Sequence, residues 1–300
     1  MSFFGPIYDQ ADEVLHDCKF YQNYRNKTGS WDSYAKGLDQ MQNHLIDAGL
    51  SPKDLPFLKR RPADDRACVD KILIQLQKIF MIPDVKWNKE EFINVAETMG
   101  KNFTHGSYRT YIASEEALLL FVLVQVLKPK RIAFLGSYYG YWAFWVLPVL
   151  AQYGGQAVLI DIDEKTSHLA SQNIKKFNYG NVCTVVNDDA RTWMALSDQP
   201  FDMLVIDAEC PDDHSEPTCR GKRVYAPILR ASIDALNPGG WVVCHNIILE
   251  QSKKLEEFEP IIEKNRAEYR DFLAIVEDKL VGFDQYETTE GIGIAQRPNG

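Results

Sequence analysis

Residues 131–142 read RIAFLGSYYGYW: a short apolar run, a turn marked by glycines, and an aromatic segment with helical spacing. Downstream come AVLIDID at 157–163, CTVVNDD at 183–189, FDMLVIDAE at 201–209 and WVVCHN at 241–246. Apolar runs this continuous, separated by helix-length segments, indicate strands buried on both faces of a parallel sheet. The fold class is therefore α/β, doubly wound. Each run ends in glycine, an acid or another polar residue: Gly136, Asp161, Asp188-Asp189, Asp207 and His245-Asn246. Open parallel sheets bind ligands outside the carboxyl ends of their strands, at the topological switch point. Five polar ends on one rim read as a site.

Glycines at 136 and 140 let the backbone approach a ligand closely. The full G-x-G-x-x-G dinucleotide fingerprint is absent, and no basic residue waits to meet a phosphate. Asp161 lies 21 residues beyond Gly140, one helix and one strand further on. A carboxylate there can accept both hydroxyls of a ribose. Asp189-Ala190 follows the third strand, where an adenine edge would be read. A glycine turn, a ribose acid, an adenine acid and no phosphate clamp describe adenosine with a short cationic tail, namely S-adenosylmethionine (SAM).

The segment FLGSYYGYW resembles the nucleotide loop of the catechol O-methyltransferase type. The stretch from about 100 to 298 resembles the wider catechol and caffeoyl-CoA group of class I SAM-dependent methyltransferases, through YIASEEALLL, LIDID, NDDA, VIDAE, LNPGGWVVCHN and TTEGIGIA. The resemblance implies a mostly parallel, seven-stranded, Rossmann-like sheet whose last strand is antiparallel. It places Gly136, Tyr139, Gly140, Asp161, Asp189, Ala190 and Arg191 around SAM, with Asp207 near the methyl group.

The sequence departs from that family at three points. Phe134 stands where the family carries a carboxylate before the loop glycine. The family holds a divalent metal with an Asp after the fourth strand and an Asp-Asn pair after the fifth; Asp207 and Asn246 match, but His245 replaces the second Asp. Cys210 occupies the position of the family's catalytic lysine. Two readings follow. Asp207, His245 and Asn246 bind a metal, with the imidazole shifting preference from Mg²⁺ towards Fe²⁺, Mn²⁺ or Zn²⁺. Otherwise His245, with an ordinary pKa of ~6.5, is the general base.

The expected reaction is methyl transfer from SAM to an oxygen of a small aromatic or hydroxylated acceptor. The alternatives are a metal-independent C- or N-methyltransferase using His245 as base, and a catalytically inactive SAM-binding regulatory protein. Cation–π contact with the sulfonium is a role open to Tyr108, Tyr111, Tyr138, Tyr139, Tyr141 and Trp142. The insertion PDDHSEPTCRGK at 211–222 reads as a substrate-side loop from which His214, Arg220 and Lys222 can reach the site.

A 45% apolar, 25% charged composition is that of an ordinary globular chain of 300 residues. The net charge of −9 disfavours a nucleic-acid partner, which needs a basic face. The six cysteines lack zinc-ligand spacing, no apolar stretch reaches membrane-span length, and the N-terminus has no secretory pattern. A cytoplasmic location without membrane attachment is expected.

Residues 88–300 are expected to form the methyltransferase domain. Residues 1–87 form a helical extension that caps the cofactor rim or joins two copies in a homodimer. Within it, 51–66 (SPKDLPFLKRRPADDR) reads as a linker or boundary, and 67–82 as an apolar helix stopped by Pro83 and Asp84. That helix carries a stripe of Val69, Ile72, Leu73, Leu76, Ile79 and Phe80 that needs a partner surface. Asn88 with Glu91 suggests a capping box. Ser114 reads as the N-cap of the helix SEEALLLFVLVQVL, with Glu115 and Glu116 favoured by its dipole. FLAIVEDK (272–279) and GIGIAQR (291–297) close the chain as two further strands.

Overall fold

Seven strands form one sheet in the order β3-β2-β1-β4-β5-β7-β6. They are β1 (Arg131–Leu135), β2 (Gln156–Asp161), β3 (Cys183–Asn187), β4 (Phe201–Ile206), β5 (Leu236–His245), β6 (Val281–Tyr286) and β7 (Ile292–Gln296). The computed structural model describes residues 6–82, 86–109, 112–253 and 255–300. Strands β1 to β5 pair in parallel, while β7 runs antiparallel to both β5 and β6. This is the Rossmann-like methyltransferase sheet that the resemblance implies.

Register fixes the functional rim. Leu135 pairs with Ile160 and with Ile206, and Ile206 pairs with Cys244. Gly136, Asp161, Asp207 and His245, each one residue further on, therefore stand side by side. Strand order reverses between β1 and β4, so the switch point lies between Gly136 and Asp207.

The sheet is buried on both faces, as continuous apolar strands require. One face packs against the helix Ser114–Leu127, in which every residue from Ser114 to Val124 is buried. A helix that is apolar all round must be covered on every side. Its outer cover is the helix Asp65–Phe80, whose Val69, Ile72, Leu73 and Leu76 join the same core while Phe80 stacks edge-on against Trp241 at 4.7 Å. Ile79 remains 43% exposed, so the apolar stripe is only partly used.

Residues further towards the N-terminus build a separate small core from Tyr8, Leu15, Tyr24, Tyr34, Leu45 and Leu58. The packing seam thus falls before Asp65. The segment 51–66 is not a linker: it contains the helix Leu55–Arg60, and Arg61 is 2% exposed. Tyr34 Oη donates to the carbonyl of Leu58 at 2.7 Å, and Tyr24 Oη to that of Arg61 at 2.8 Å. Arg61 in turn donates to Asp12 at 2.6 Å. Prolines and charges that usually mark a surface connection here punctuate a segment bolted down by buried partners.

Three local readings change. FLAIVEDK lies within a helix, Arg270–Lys279, because Phe272 and Val276 recur at helical spacing and are buried together. The sixth strand is the following VGFDQY. Ala113, not Ser114, is the N-cap of the buried helix; Glu116 accepts from the Ala113 amide at 3.0 Å, and Ser114 Oγ donates to Asp65 at 2.6 Å. Asn88 does cap its helix by accepting from Glu91 N at 3.2 Å, but the Glu91 carboxylate binds the amides of Gln125 and Gln152 instead of returning to Asn88. The stop at Pro83 and Asp84 lies outside the described residues.

Candidate active site

A cleft of about 1030 Å³ runs along the carboxyl ends of β1 to β5. That volume suits a small-molecule site with room for more than one ligand. Its two halves are built differently.

In the first half, Gly136 leaves β1 with φ +78°, a conformation open to glycine at little cost. A Cβ there would fall 2.4 Å from the Ala208 Cα, so any side chain would force β1 and β4 apart. Asp161 faces the cleft and accepts from the amides of Tyr138 at 2.6 Å and Asp163 at 3.0 Å. Burial raises its pKa, and these hydrogen bonds offset part of that rise. Tyr138 is itself left-handed, at φ 52°. Such strain in a non-glycine residue is commonly retained at functional sites. Asp189 caps the helix Ala190–Ala195 by accepting from Arg191 N at 2.8 Å, and its carboxylate also grips the Arg191 guanidinium at 2.7 Å. Because Arg191 also binds Glu216 at 2.8 Å, its charge is already engaged and makes no clamp for a phosphate.

Gly136, Asp161, Asp189, Ala190 and Arg191 all line the cleft. Tyr139 and Gly140 do not reach its wall. Tyr139 is fully buried with its hydroxyl 3.1 Å from His105 Nδ1, and Gly140, at φ +83°, packs over Leu159. They hold the turn from below. Of the aromatic residues expected near the sulfonium, Tyr138 and Tyr108 lie on the wall, their rings edge to face at 5.3 Å. Tyr141 and Trp142 are core, and Tyr111 lies outside the described residues.

The second half centres on His245, which is 2% exposed. Its Nδ1 is 3.2 Å from Asp207 Oδ1 and its Nε2 is 3.1 Å from Glu116 Oε2. Only a doubly protonated ring can donate to carboxylates at both nitrogens. Burial alone would lower its pKa, but Asp207 and Glu116 overcome that and push it up to about 10. Burial would likewise raise Glu116, yet the His245 charge and its hydrogen bonds hold it below the ordinary carboxyl range. Trp142 packs on this imidazolium, with ring centroids 5.1 Å apart.

Glu116 is fully committed. Besides Ala113 N and His245, it accepts from Thr288 Oγ1 at 2.7 Å and Glu290 N at 2.7 Å. Glu290 borders the cleft and receives the Tyr8 hydroxyl; burial, then Glu116, push its carboxyl up to about 8. Glu115 accepts from Thr289 N, and burial beside Glu116 pushes it up to about 7. The N-terminal region meets this network at Tyr8 and again at Arg60, which donates to the carbonyls of Thr288 and Thr289 at 3.0 Å each.

Lys222 completes the charge pattern. The insertion folds back through a bridge between Cys210 and Gly221, which brings the Lys222 ammonium to 3.7 Å from Asp207 and 3.4 Å from Glu209. Its side chain is only 10% exposed and lies on the cleft wall. His214 and Cys210 also line the cleft, whereas Arg220 does not and donates instead to the His214 carbonyl at 2.7 Å.

The grouping expected for a metal does form in space: Asp207, His245 and Asn246 converge on the cleft. Its chemistry does not fit a metal ion. A ring that donates at both nitrogens has no lone pair to give, and Lys222 already stands beside Asp207. A divalent ion ~4 Å from either cation would meet about 8 kcal/mol of repulsion from each, at an effective dielectric of about 20. Asn246 turns its amide towards Glu290, at 3.5 Å. Among the described residues, no group of three or more His, Cys, Asp or Glu is arranged to hold a metal ion. The same two carboxylates, which raise the His245 pKa, also work against its use as a general base.

Glu116 and Glu290 are the residues that sequence reasoning missed as parts of the site. For Glu116 the signal was two adjacent acids, Glu115 and Glu116, opening a helix apolar on every side; Glu290 carried no comparable mark.

Comparison with known proteins agrees with this architecture. Residues 133–247 match the profile of a family described as a methyltransferase domain. No curated protein matches the chain. Among solved structures, a methyltransferase from Podospora anserina with S-adenosylhomocysteine (SAH) bound is 16% identical with a TM-score of 0.52, covering 76% of this chain and 94% of its own. An O-methyltransferase of Streptomyces achromogenes involved in tomaymycin synthesis, solved with SAM, is also 16% identical, with a TM-score of 0.50 and coverage of 76% and 96%. At this identity the likeness speaks to fold. The chain has the Rossmann-like fold of class I SAM-dependent methyltransferases, and its residues 133–247 are similar to a methyltransferase domain. No described helix is long and apolar enough to cross a membrane.

Proposed function

We propose that this protein transfers a methyl group from SAM to an oxygen of a small hydroxylated acceptor. The observation that carries the reading is the first half of the cleft. A glycine turn, a desolvated carboxylate and a helix-capping acid occupy three neighbouring strand ends, with the guanidinium beside that acid already paired to two carboxylates. Adenosine without a phosphate fits that set. Asp161 takes the ribose hydroxyls, Asp189 and Ala190 the adenine edge, and Gly136 admits the methionine portion, placing the sulfonium methyl towards Asp207.

The acceptor lies against the second half, where Phe57, Ile112, Ile248 and Ile261 supply apolar wall and Asn246, Glu290 and Lys222 supply polar groups. Phe57 comes from the N-terminal region, which makes that region part of the acceptor pocket. In the reaction the acceptor oxygen attacks the methyl carbon, the C–S bond breaks with its electron pair passing to sulfur, and SAH forms. The hydroxyl proton leaves to solvent. The protein's part is to align donor and acceptor and to stabilise the charge that moves.

Incubation with methyl-labelled SAM and a panel of phenols and catechols tests this. O-methylated product should form together with SAH. Tight SAM binding without transfer to any hydroxylated acceptor would contradict it and indicate a SAM-binding protein without this catalysis.

A further inference from the structure

Beside the acid at the end of β4, where the resemblance expects a divalent ion, the structure has an ammonium. Lys222 reaches Asp207 from the 211–222 insertion, and its backbone is fixed by a 2.9 Å hydrogen bond from its amide to the buried Glu268. The side chain lies over the Tyr225 ring at 5.5 Å and is shielded from bulk water. Asp207 and Glu209 flank the ammonium at 3.7 and 3.4 Å, looser than the 2.7 and 2.8 Å contacts that occupy Arg191, and its three N–H donors stand on the wall of the cleft. On its other side Asp207 is held by His245, and His245 by Glu116. Asp207 thus has Lys222 on one side and the His245 ring on the other, both supplied by the chain itself.

We propose that Lys222 is the group that binds the acceptor oxygen, and that this protein methylates single hydroxyl groups without a metal. The inference rests on the methyl-transfer reading above. A metal ion binds two neighbouring oxygens of a catechol at once and so favours vicinal diols. An ammonium offers its donors to one oxygen, has no need of a second, and stabilises the oxyanion from which attack proceeds. A partly desolvated position strengthens that interaction relative to bulk water.

SAH-loaded protein titrated with 4-nitrophenol and with 4-nitrocatechol, followed by the phenolate absorbance band, provides the test; SAH affinity is measured in parallel by calorimetry. Wild-type protein should bind both phenols with affinities within about threefold, display the phenolate band below the free phenol's own pKa, and be indifferent to EDTA and to added Mg²⁺ or Mn²⁺. Lys222→Met should lose the band and at least about tenfold in affinity for the phenols while keeping SAH affinity; Lys222→Arg should retain the band. A band that needs added metal, a preference above tenfold for the catechol, an unchanged Lys222→Met, or no phenol binding by the SAH-loaded wild type would each overturn the proposal. Absence of SAH binding by the wild type would instead overturn the methyl-transfer reading itself.

Discussion

Along β1, β2 and β3 each residue facing the cleft belongs to the turn that ends its own strand. Gly136 makes the bend after β1, Asp161 binds amides within its own loop and that of β1, and Asp189 caps the helix that follows it. Along β4 and β5 the decisive groups arrive from elsewhere. Glu116, which holds His245, is 129 residues away in sequence, Lys222 returns on an insertion, and Glu290 comes from the loop before β7. The proposed cofactor half is thus assembled from short local motifs. The acceptor half depends instead on how distant segments meet, and its chemistry is decided by which charges are brought together.

The most severe test of the local half is Gly136→Val. The new side chain would meet the Ala208 backbone and require a left-handed β-branched residue. SAM affinity should fall by at least about 100-fold, with stability reduced by ~1–3 kcal/mol. Calorimetry with a thermal melt checks both. A valine variant that binds SAM normally would show that the cleft floor is not where the cofactor lies.

For the distributed half, Glu116→Gln removes the charge that holds the His245 proton and leaves a buried charge poorly compensated. Breaking one partner of a buried pair typically costs about 3–5 kcal/mol. Urea unfolding should show a loss in that range, against less than about 1 kcal/mol for an exposed acid such as Glu97, which pairs with Lys101 on a helix surface. Equal losses at the two positions would remove the distinction between a structural acid and an ordinary one.

How much was legible follows the same division. The strand ends at Gly136, Asp161 and Asp189 could be read because each motif is contiguous and each residue acts within a few positions of itself. The order of the apolar runs was sufficient to infer the sheet. FLAIVEDK was misread because a short apolar run does not distinguish strand from buried helix by hydrophobicity alone. His245 stands out in the sequence as a departure from the family pattern, but its surroundings depend on Glu116, whose burial follows from the covering of the Ser114–Leu127 helix on all sides. Lys222 was named as able to reach the site; that it is buried beside Asp207 depends on the fold-back between Cys210 and Gly221. The 51–66 segment looked like a connection because the aromatic residues that anchor it, Tyr24, Trp31 and Tyr34, lie about 20 to 40 positions away.

A smaller effect separates the halves by pH. Glu115 and Glu290 keep their protons to about 7 and about 8, whereas in the unfolded chain they release them near the ordinary carboxyl value of about 4.5. A raised acid contributes stability that is complete below its unfolded pKa and is lost as pH rises through the folded one. His245, raised to about 10, acts in the same direction above its ordinary value of about 6.5. The depressed acids Glu116 and Asp207 contribute fully throughout this window. Melting temperature should therefore decline from about pH 6 to about pH 9, and Glu290→Gln should flatten the slope. A melting temperature that rises over that range would contradict the charge assignment of the acceptor half.

The central claim is that this chain holds SAM at the ends of β1, β2 and β3. Titrating the purified protein with SAM in a calorimeter, beside its Asp161→Ala variant, tests it most directly. Saturable one-to-one binding by the wild type and a loss of ~1.5–3 kcal/mol in the variant are expected, because a charged acceptor is removed from the ribose. No binding by the wild type, or equal affinity in the two proteins, would contradict it.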